Sequence, residues 1–131
     1  MSERKPILPR GMTANPAFSP AVQVGELLFV SGQVSVDDRG NVVGAGDCAA
    51  QTRQVMARLK TIVEAAGATM QDVVKITTFL TSAANYPAFS QVRSQTFPSS
   101  PPASSTVIVA ALVRPEYLVE VEAVVRVPGG A

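Results

Sequence analysis

Two spacings of hydrophobic residues divide the chain into strands and helices. Residues 21–36 (AVQVGELLFVSGQVSV) form two apolar stretches around Gly25 and Glu26, which is typical of two strands joined by a tight turn. Residues 73–80 (VVKITTFL) are rich in β-branched side chains and predict another strand. The turn sequence DDRGN follows the first pair, and Val42 and Val43 are expected to pair back.

Apolar residues at steps of three and four predict a helix between Asp47 and Gly67. They form one stripe: Thr52, Val55, Met56, Leu59, Ile62, Val63 and Ala66. Asp47 suits the N-cap and Gly67 the C-terminal stop, and 69–72 predicts a small capping turn after it. Asn85, with Pro87 in the first turn, predicts a second helix whose stripe includes Phe89, Val92 and Thr96.

The C-terminal part predicts strands at 104–112 and 117–127, joined across 113–116 as a hairpin. Side chains of a strand alternate between faces, so one side of the last strand carries Tyr117, Val119, Val121, Ala123, Val125 and Val127. This apolar side is expected to lie under the helices. The sequence therefore predicts a single α+β domain over 1–131, with both helices on one face of one sheet.

The opposite side of the last strand mixes apolar and charged residues: Leu118, Glu120, Glu122, Val124 and Arg126. Ser104, Thr106, Ile108 and Ala110 give the preceding strand a similar mixed face, so we expect their side chains to share the open face with Glu120. A face too apolar for bulk water usually meets another subunit. The pattern predicts an oligomer with polar pockets around Glu120 and the hydroxyls, and a plain solvent-facing strand is the alternative.

Composition and charge narrow the function classes. Of 131 residues, 47% are hydrophobic and 16% charged, the net charge is +1, and the basic residues are scattered. A nucleic-acid surface concentrates its cations, so no nucleic-acid partner is expected. The first residues have no apolar core of a signal peptide, and no apolar run approaches about 18 residues, so we expect a cytoplasmic protein with no membrane partner.

The chemistry open to the chain is limited by its side chains. It has no histidine and one cysteine, Cys48, so neither a Ser-His-Asp triad nor a zinc site is expected. Cys48 is expected to be a small packing residue in a reducing compartment. No Walker or GxGxxG motif is present. Catalysis would therefore depend on carboxylates, hydroxyls, backbone amides and guanidinium groups.

Several segments together resemble the Rid family of reactive intermediate deaminases, also called the L-PSP endoribonuclease or translation-inhibitor family. They are NPAFSPAV (15–22), LLFVSGQV (27–34), the stretch 49–92 and LVEVEAV (118–124). The resemblance implies a chorismate-mutase-like α+β fold of the bacillary type and a homotrimer with a small-molecule site between subunits. It also implies hydrolysis of an enamine or imine to a carbonyl compound and ammonia, without a cofactor.

Part of the family's site is retained. The resemblance implies that Glu120 orients water and relays a proton, that Ser31 helps to hold substrate, and that backbone amides near Gly32 polarise it. Phe18 stands where the family usually has Tyr and is expected to line an apolar cleft. Glu120 is alternatively the partner of Arg126 or of a neighbouring subunit, and Ser31 is alternatively a turn residue. Glu122 is expected to be structural.

Other positions depart from the family pattern. Ser90 replaces an Asn, Arg93 replaces a Tyr, and Thr106 holds a position that is often Cys. Ser104 replaces the Arg of a Pro-Ala-Arg motif whose guanidinium clamps the substrate carboxylate. We therefore predict poor hydrolysis of simple 2-imino acids. Arg93 either supplies a substitute anchor or is a solvated helix residue.

Three functions remain open from the sequence. The first is an enamine or imine deaminase acting on substrates other than simple 2-imino acids. The second is a trimeric, non-catalytic protein that binds a small ligand in the retained cleft. The third is a nuclease, which the dispersed charge and the absence of histidine disfavour.

Overall fold

The computed structural model describes residues 3–129, which form six strands and two helices. The strands are β1 Arg4–Ile7, β2 Ala21–Val24, β3 Leu27–Gln33, β4 Val73–Leu80, β5 Ala103–Ile108 and β6 Val119–Arg126. The helices are α1 Cys48–Ala65 and α2 Tyr86–Thr96. A short 3₁₀ turn at Met70–Asp72 follows α1, and another at Ala83–Asn85 precedes α2. Among the described residues no helix is long and apolar enough to cross a membrane.

The predicted helix ends are confirmed. The Asp47 side chain accepts a hydrogen bond from the Ala50 amide at 3.0 Å, which caps α1. The chain leaves the helix at Gly67, whose φ of +86° is a conformation that favours glycine. Asn85 precedes α2 with Pro87 in its first turn, as predicted.

All six strands belong to one sheet with the order β1-β2-β3-β6-β4-β5. The β4–β5 pair is parallel and the other pairs are antiparallel. The predicted hairpin between the last two strands is therefore wrong, because β6 lies between β3 and β4. Helix α2 carries the chain across from β4 to β5, which makes these strands parallel neighbours.

Two further differences concern the edges of the sheet. β5 ends at Ile108, earlier than predicted, and it has a paired neighbour on one side alone. β1 was not predicted, because Pro6 interrupts a short polar segment. Proline lacks an amide hydrogen and is tolerated in an edge strand, which is where β1 lies.

The core lies between the two helices and one face of the sheet, as predicted. The β6 residues that face the helices are buried: Val119, Val121, Ala123 and Val125. Val55, Leu59 and Ile62 of α1 are buried against them. The opposite face has no helix over it. Leu27, Phe29 and Val107 on that open face are 43%, 48% and 44% exposed. Exposed apolar residues on one sheet face are typical of a surface that contacts another protein.

Candidate active site

The centre of the open face is formed by Glu120 and a bulge in β3. Glu120 lies on β6 opposite Phe79 of β4, and the β3–β6 register shifts between Val30 and Gln33. The shift places Gly32 directly against the Glu120 side chain. A Cβ on Gly32 would lie 2.8 Å from Glu120 Cδ and 3.0 Å from Cγ, closer than such atoms approach. The carboxyl group therefore occupies the space that a side chain at position 32 would fill.

The environment of Glu120 favours its neutral form. Partial burial raises the pKa of this carboxyl, and the negative charge of nearby Glu122 raises it further. Arg126 does not neutralise it, since Arg126 pairs with Glu26 at 3.4 Å. The alternative of an ion pair between Glu120 and Arg126 is therefore wrong for this chain. A carboxyl with a raised pKa can donate or accept a proton closer to neutral pH.

Ser31 ties the bulge to the loop that carries Phe18. Its hydroxyl donates to the Ser19 carbonyl at 2.6 Å, and its amide donates to the Pro20 carbonyl at 2.9 Å. Phe18 is 59% exposed. Together with Gly32 it lines a depression of about 390 Å³. Ser31 thus holds the loop in place, while its oxygen still has the capacity to accept a hydrogen bond.

A second cluster surrounds Arg93 on helix α2. The guanidinium donates to Ser104 Oγ at 3.1 Å, to the Tyr86 hydroxyl at 2.9 Å and to Ser90 Oγ at 3.3 Å. Its central carbon lies 5.6 Å from the Tyr86 ring centre and 5.1 Å from that of Phe89. Arg93 is therefore held by several contacts, unlike a freely solvated helix residue.

Tyr86 was not predicted as a member of this cluster. Tyr86, Ser90 and Arg93 follow one another at steps of four and three residues, so they share one face of α2. This spacing was a usable signal. The contact of Arg93 with Ser104 had no such signal, because it joins a helix to a strand.

Within one protomer the two clusters lie on opposite faces of the sheet. Ser104 pairs in register with Ile76 and Thr106 with Thr78, and both partners are fully buried under the helices. The prediction that Ser104 and Thr106 share the open face with Glu120 is therefore wrong. The parallel pairing turns Ser105 to that face instead, where Lys75 Nζ lies 2.7 Å from its Oγ. Within one protomer the sheet therefore lies between the Glu120 cluster and the Arg93 cluster.

The remaining polar groups give no sign of a metal centre or a reactive thiol. Residues 3–129 contain no group of three Asp, Glu or Cys side chains placed to hold a metal ion. Cys48 is buried in the core, and burial raises the pKa of its thiol. A thiol of this kind is a packing group and a poor nucleophile, as expected.

Comparison with known proteins identifies the class to which this fold and site belong. The family model described as Endoribonuclease L-PSP matches residues 10–127. The chain therefore belongs to the endoribonuclease L-PSP family, which includes the Rid proteins. The family expected from the resemblance and the predicted α+β fold are both confirmed.

Individual relatives cover almost the whole chain. The 3-aminoacrylate deaminase RutC of Acinetobacter baylyi is 39% identical, over 92% of this chain and 96% of the relative. The solved structure of a Rid family protein from Yersinia pestis has a TM-score of 0.88 at 30% identity, covering 95% of this chain and 100% of its own. RidA from an Antarctic Psychrobacter has a TM-score of 0.85 at 31% identity, over 93% and 98% of the two chains.

Proposed function

We propose that this protein hydrolyses a reactive enamine or imine to a carbonyl compound and ammonia. The observation that carries the proposal is the Glu120 carboxyl, seated on Gly32 with a raised pKa and no basic partner among residues 3–129. The relative named as a 3-aminoacrylate deaminase supports it, since 3-aminoacrylate is an enamine. No metal or cofactor enters the reaction.

Glu120 acts in turn as acid and base. The protonated carboxyl gives its proton to the enamine carbon or the imine nitrogen, which makes the C=N carbon electrophilic. The resulting carboxylate then takes a proton from water as the water oxygen bonds to that carbon. The same proton then passes from Glu120 to the nitrogen. The C–N bond breaks as the Glu120 carboxylate takes the proton of the new hydroxyl group, and ammonia leaves with the carbonyl product. One water molecule is consumed and Glu120 ends as it began.

The complete site lies between two copies of the chain in a homotrimer. One copy supplies the open-face group of Glu120, Gly32, Ser31 and Phe18. Its neighbour supplies the helix-side group of Ser90, Arg93, Ser104 and Thr106. Two facts support this arrangement: the sheet separates the two groups within a protomer, and the open face exposes apolar side chains that a neighbour would cover.

Phe29→Asp is expected to dissociate the assembly. Phe29 is 48% exposed at the middle of the open face, and a carboxylate there would be buried unpaired in an interface. Sedimentation equilibrium should give three times the 13.7 kDa chain mass for the wild type and a smaller mass for the variant. The exposed Val113→Asp, outside the sheet, is the control and should remain assembled. A monomeric wild type would contradict the two-copy site.

The substrate is unlike a simple 2-imino acid, because Ser104 offers no guanidinium of its own. An assay that generates 2-iminopropionate with an amino-acid oxidase, and follows its loss against semicarbazide trapping, should show slow turnover by the wild type. Larger imines should be hydrolysed faster. Absence of turnover with every imine, by folded protein, would instead favour the non-catalytic ligand-binding alternative.

Substitutions at Arg93 and Ser104 provide a sharper test of substrate specificity. Ser104→Arg alone places a second guanidinium beside Arg93, which already contacts position 104 at 3.1 Å. Like charges repel, so the single variant should gain little. The double variant Arg93→Tyr with Ser104→Arg restores the family pattern and should raise kcat/KM for 2-iminopropionate by roughly 30-fold or more. Equal gains from the single and double variants would contradict this account.

A further inference from the structure

The corner between α2 and the start of β5 contains more hydrogen-bond donors than acceptors. Arg93 donates to three hydroxyl oxygens, those of Tyr86, Ser90 and Ser104. Each oxygen accepts there, and Ser90 also contributes a hydrogen bond to the Tyr86 phenol oxygen. The hydroxyl protons of Tyr86 and Ser104, and the guanidinium hydrogens not used in these bonds, are available to an acceptor from outside the chain.

The same corner carries an unneutralised positive charge. The ion pairs of the described residues involve Arg58, Arg114 and Arg126, so none of them includes Arg93. Hydrogen bonding and the positive charge of Arg93 lower the pKa of the Tyr86 phenol. The aromatic rings beside the guanidinium hold it in one place without removing its charge. A group with several acceptor oxygens and a negative charge complements this arrangement.

One side of the corner is formed by apolar residues. Arg93, Tyr86 and Ser104 open onto a depression of about 550 Å³ whose other lining residues include Phe97, Pro98, Pro101 and Pro102. An inorganic anion would leave these walls without a partner. A small organic acid would place its carboxylate on the planar guanidinium and its apolar part against the prolines.

We infer that Arg93, with the hydroxyls of Tyr86, Ser90 and Ser104, forms a carboxylate-binding subsite for an organic acid whose apolar body is larger than the methyl group of 2-iminopropionate. That the ligand is the substrate rests on the proposed function: the carboxylate binds here, and the C=N carbon reaches Glu120 of the neighbouring copy. Arg93 already donates three hydrogen bonds to neighbouring hydroxyls of the same chain. It is therefore a weaker clamp for a carboxylate than a strand arginine whose donors are all free.

Binding of an unreactive acid tests the subsite without relying on turnover. Phenylacetate should bind the wild-type protein, and phenylacetamide, which has the same shape without the charge, should bind far more weakly. Arg93→Gln should weaken phenylacetate binding by roughly 10-fold to 100-fold, because a charge-assisted hydrogen bond is lost. Ser104→Ala should cause a smaller loss. Arg53→Gln, at an exposed arginine of α1, is the matched control and should bind normally.

Three results would overturn the inference: equal binding of the acid and the amide, unchanged binding by Arg93→Gln, or displacement of phenylacetate by equimolar phosphate. The last would indicate a general oxyanion site. Arg93→Lys keeps the charge and loses the fork, so intermediate affinity supports the geometry and guards against a folding defect in Arg93→Gln. Glu120→Gln should bind phenylacetate and fail in turnover, so a failed subsite and a failed deaminase proposal give different results.

Discussion

Glu120→Gln should lower imine hydrolysis by about 10²-fold to 10⁴-fold, the range for loss of a general acid–base group. The amide keeps the size of the side chain and its seat on Gly32, but it can neither give nor take the proton. Initial rates in the oxidase-coupled assay, with enzyme in the linear range, measure the effect. A variant within about tenfold of the wild type would remove Glu120 from the mechanism.

Glu120→Gln should lower activity but raise stability, so a loss of activity in this variant cannot be attributed to a folding defect. Burial and Glu122 raise the pKa of Glu120, so the native state holds its proton at a pH where the unfolded chain has lost it. Stability therefore falls as pH rises from the ordinary glutamate pKa through the raised one. Glu120→Gln lacks this loss, so its Tm should equal that of the wild type at about pH 4 and exceed it at about pH 8.

Glu122→Gln is the matched control for Glu120→Gln. It is exposed, two residues along the same strand and on the same face. Its removal takes away the smaller cause of the raised pKa, while desolvation, the larger cause, remains. The activity should survive, with the alkaline limb of the pH–rate profile, where Glu120 loses its proton, moved to slightly lower pH. A large loss of activity would mean that the two carboxylates act together.

Gly32→Ala should lower activity by about 10²-fold with a loss of stability within about 1 kcal/mol. A methyl group on Gly32 meets the end of the Glu120 side chain, which is flexible and can move aside. The fold is therefore kept while the carboxyl leaves its position against the bulge. Steady-state kinetics and thermal unfolding of the same preparation measure the two effects.

Gly46→Ala should have the reverse effects: it should lower stability and leave activity unchanged. Gly46 has a φ of +74° and open space around it, so alanine strains the backbone there by about 1–2 kcal/mol and touches nothing in the site. In the double variant Gly32→Ala with Glu120→Ala, the steric conflict disappears, so the stability costs should not add. Additive costs would place the effect of Gly32→Ala elsewhere than at Glu120.

The local parts of the fold were readable from the sequence. Helix α1, its Asp47 cap and its Gly67 end follow from spacing and capping chemistry within one segment. The alternation of β6 identified its buried side, because side chains of a strand change face at every residue. The segments around Ser31 and Glu120 identified the family, which the comparisons confirm.

The tertiary structure decided which of these residues can meet. Nothing local shows that β5 runs parallel to β4, yet this pairing turns Ser104 and Thr106 away from Glu120 and brings Ser104 to Arg93. A shift in the β3–β6 register likewise places Gly32 against the carboxyl group of Glu120. Periodicity is a property of neighbouring residues, so the sequence specified the elements and their buried faces. Strand order and register arise from contacts distant along the chain, and these contacts divide the candidate site into two halves.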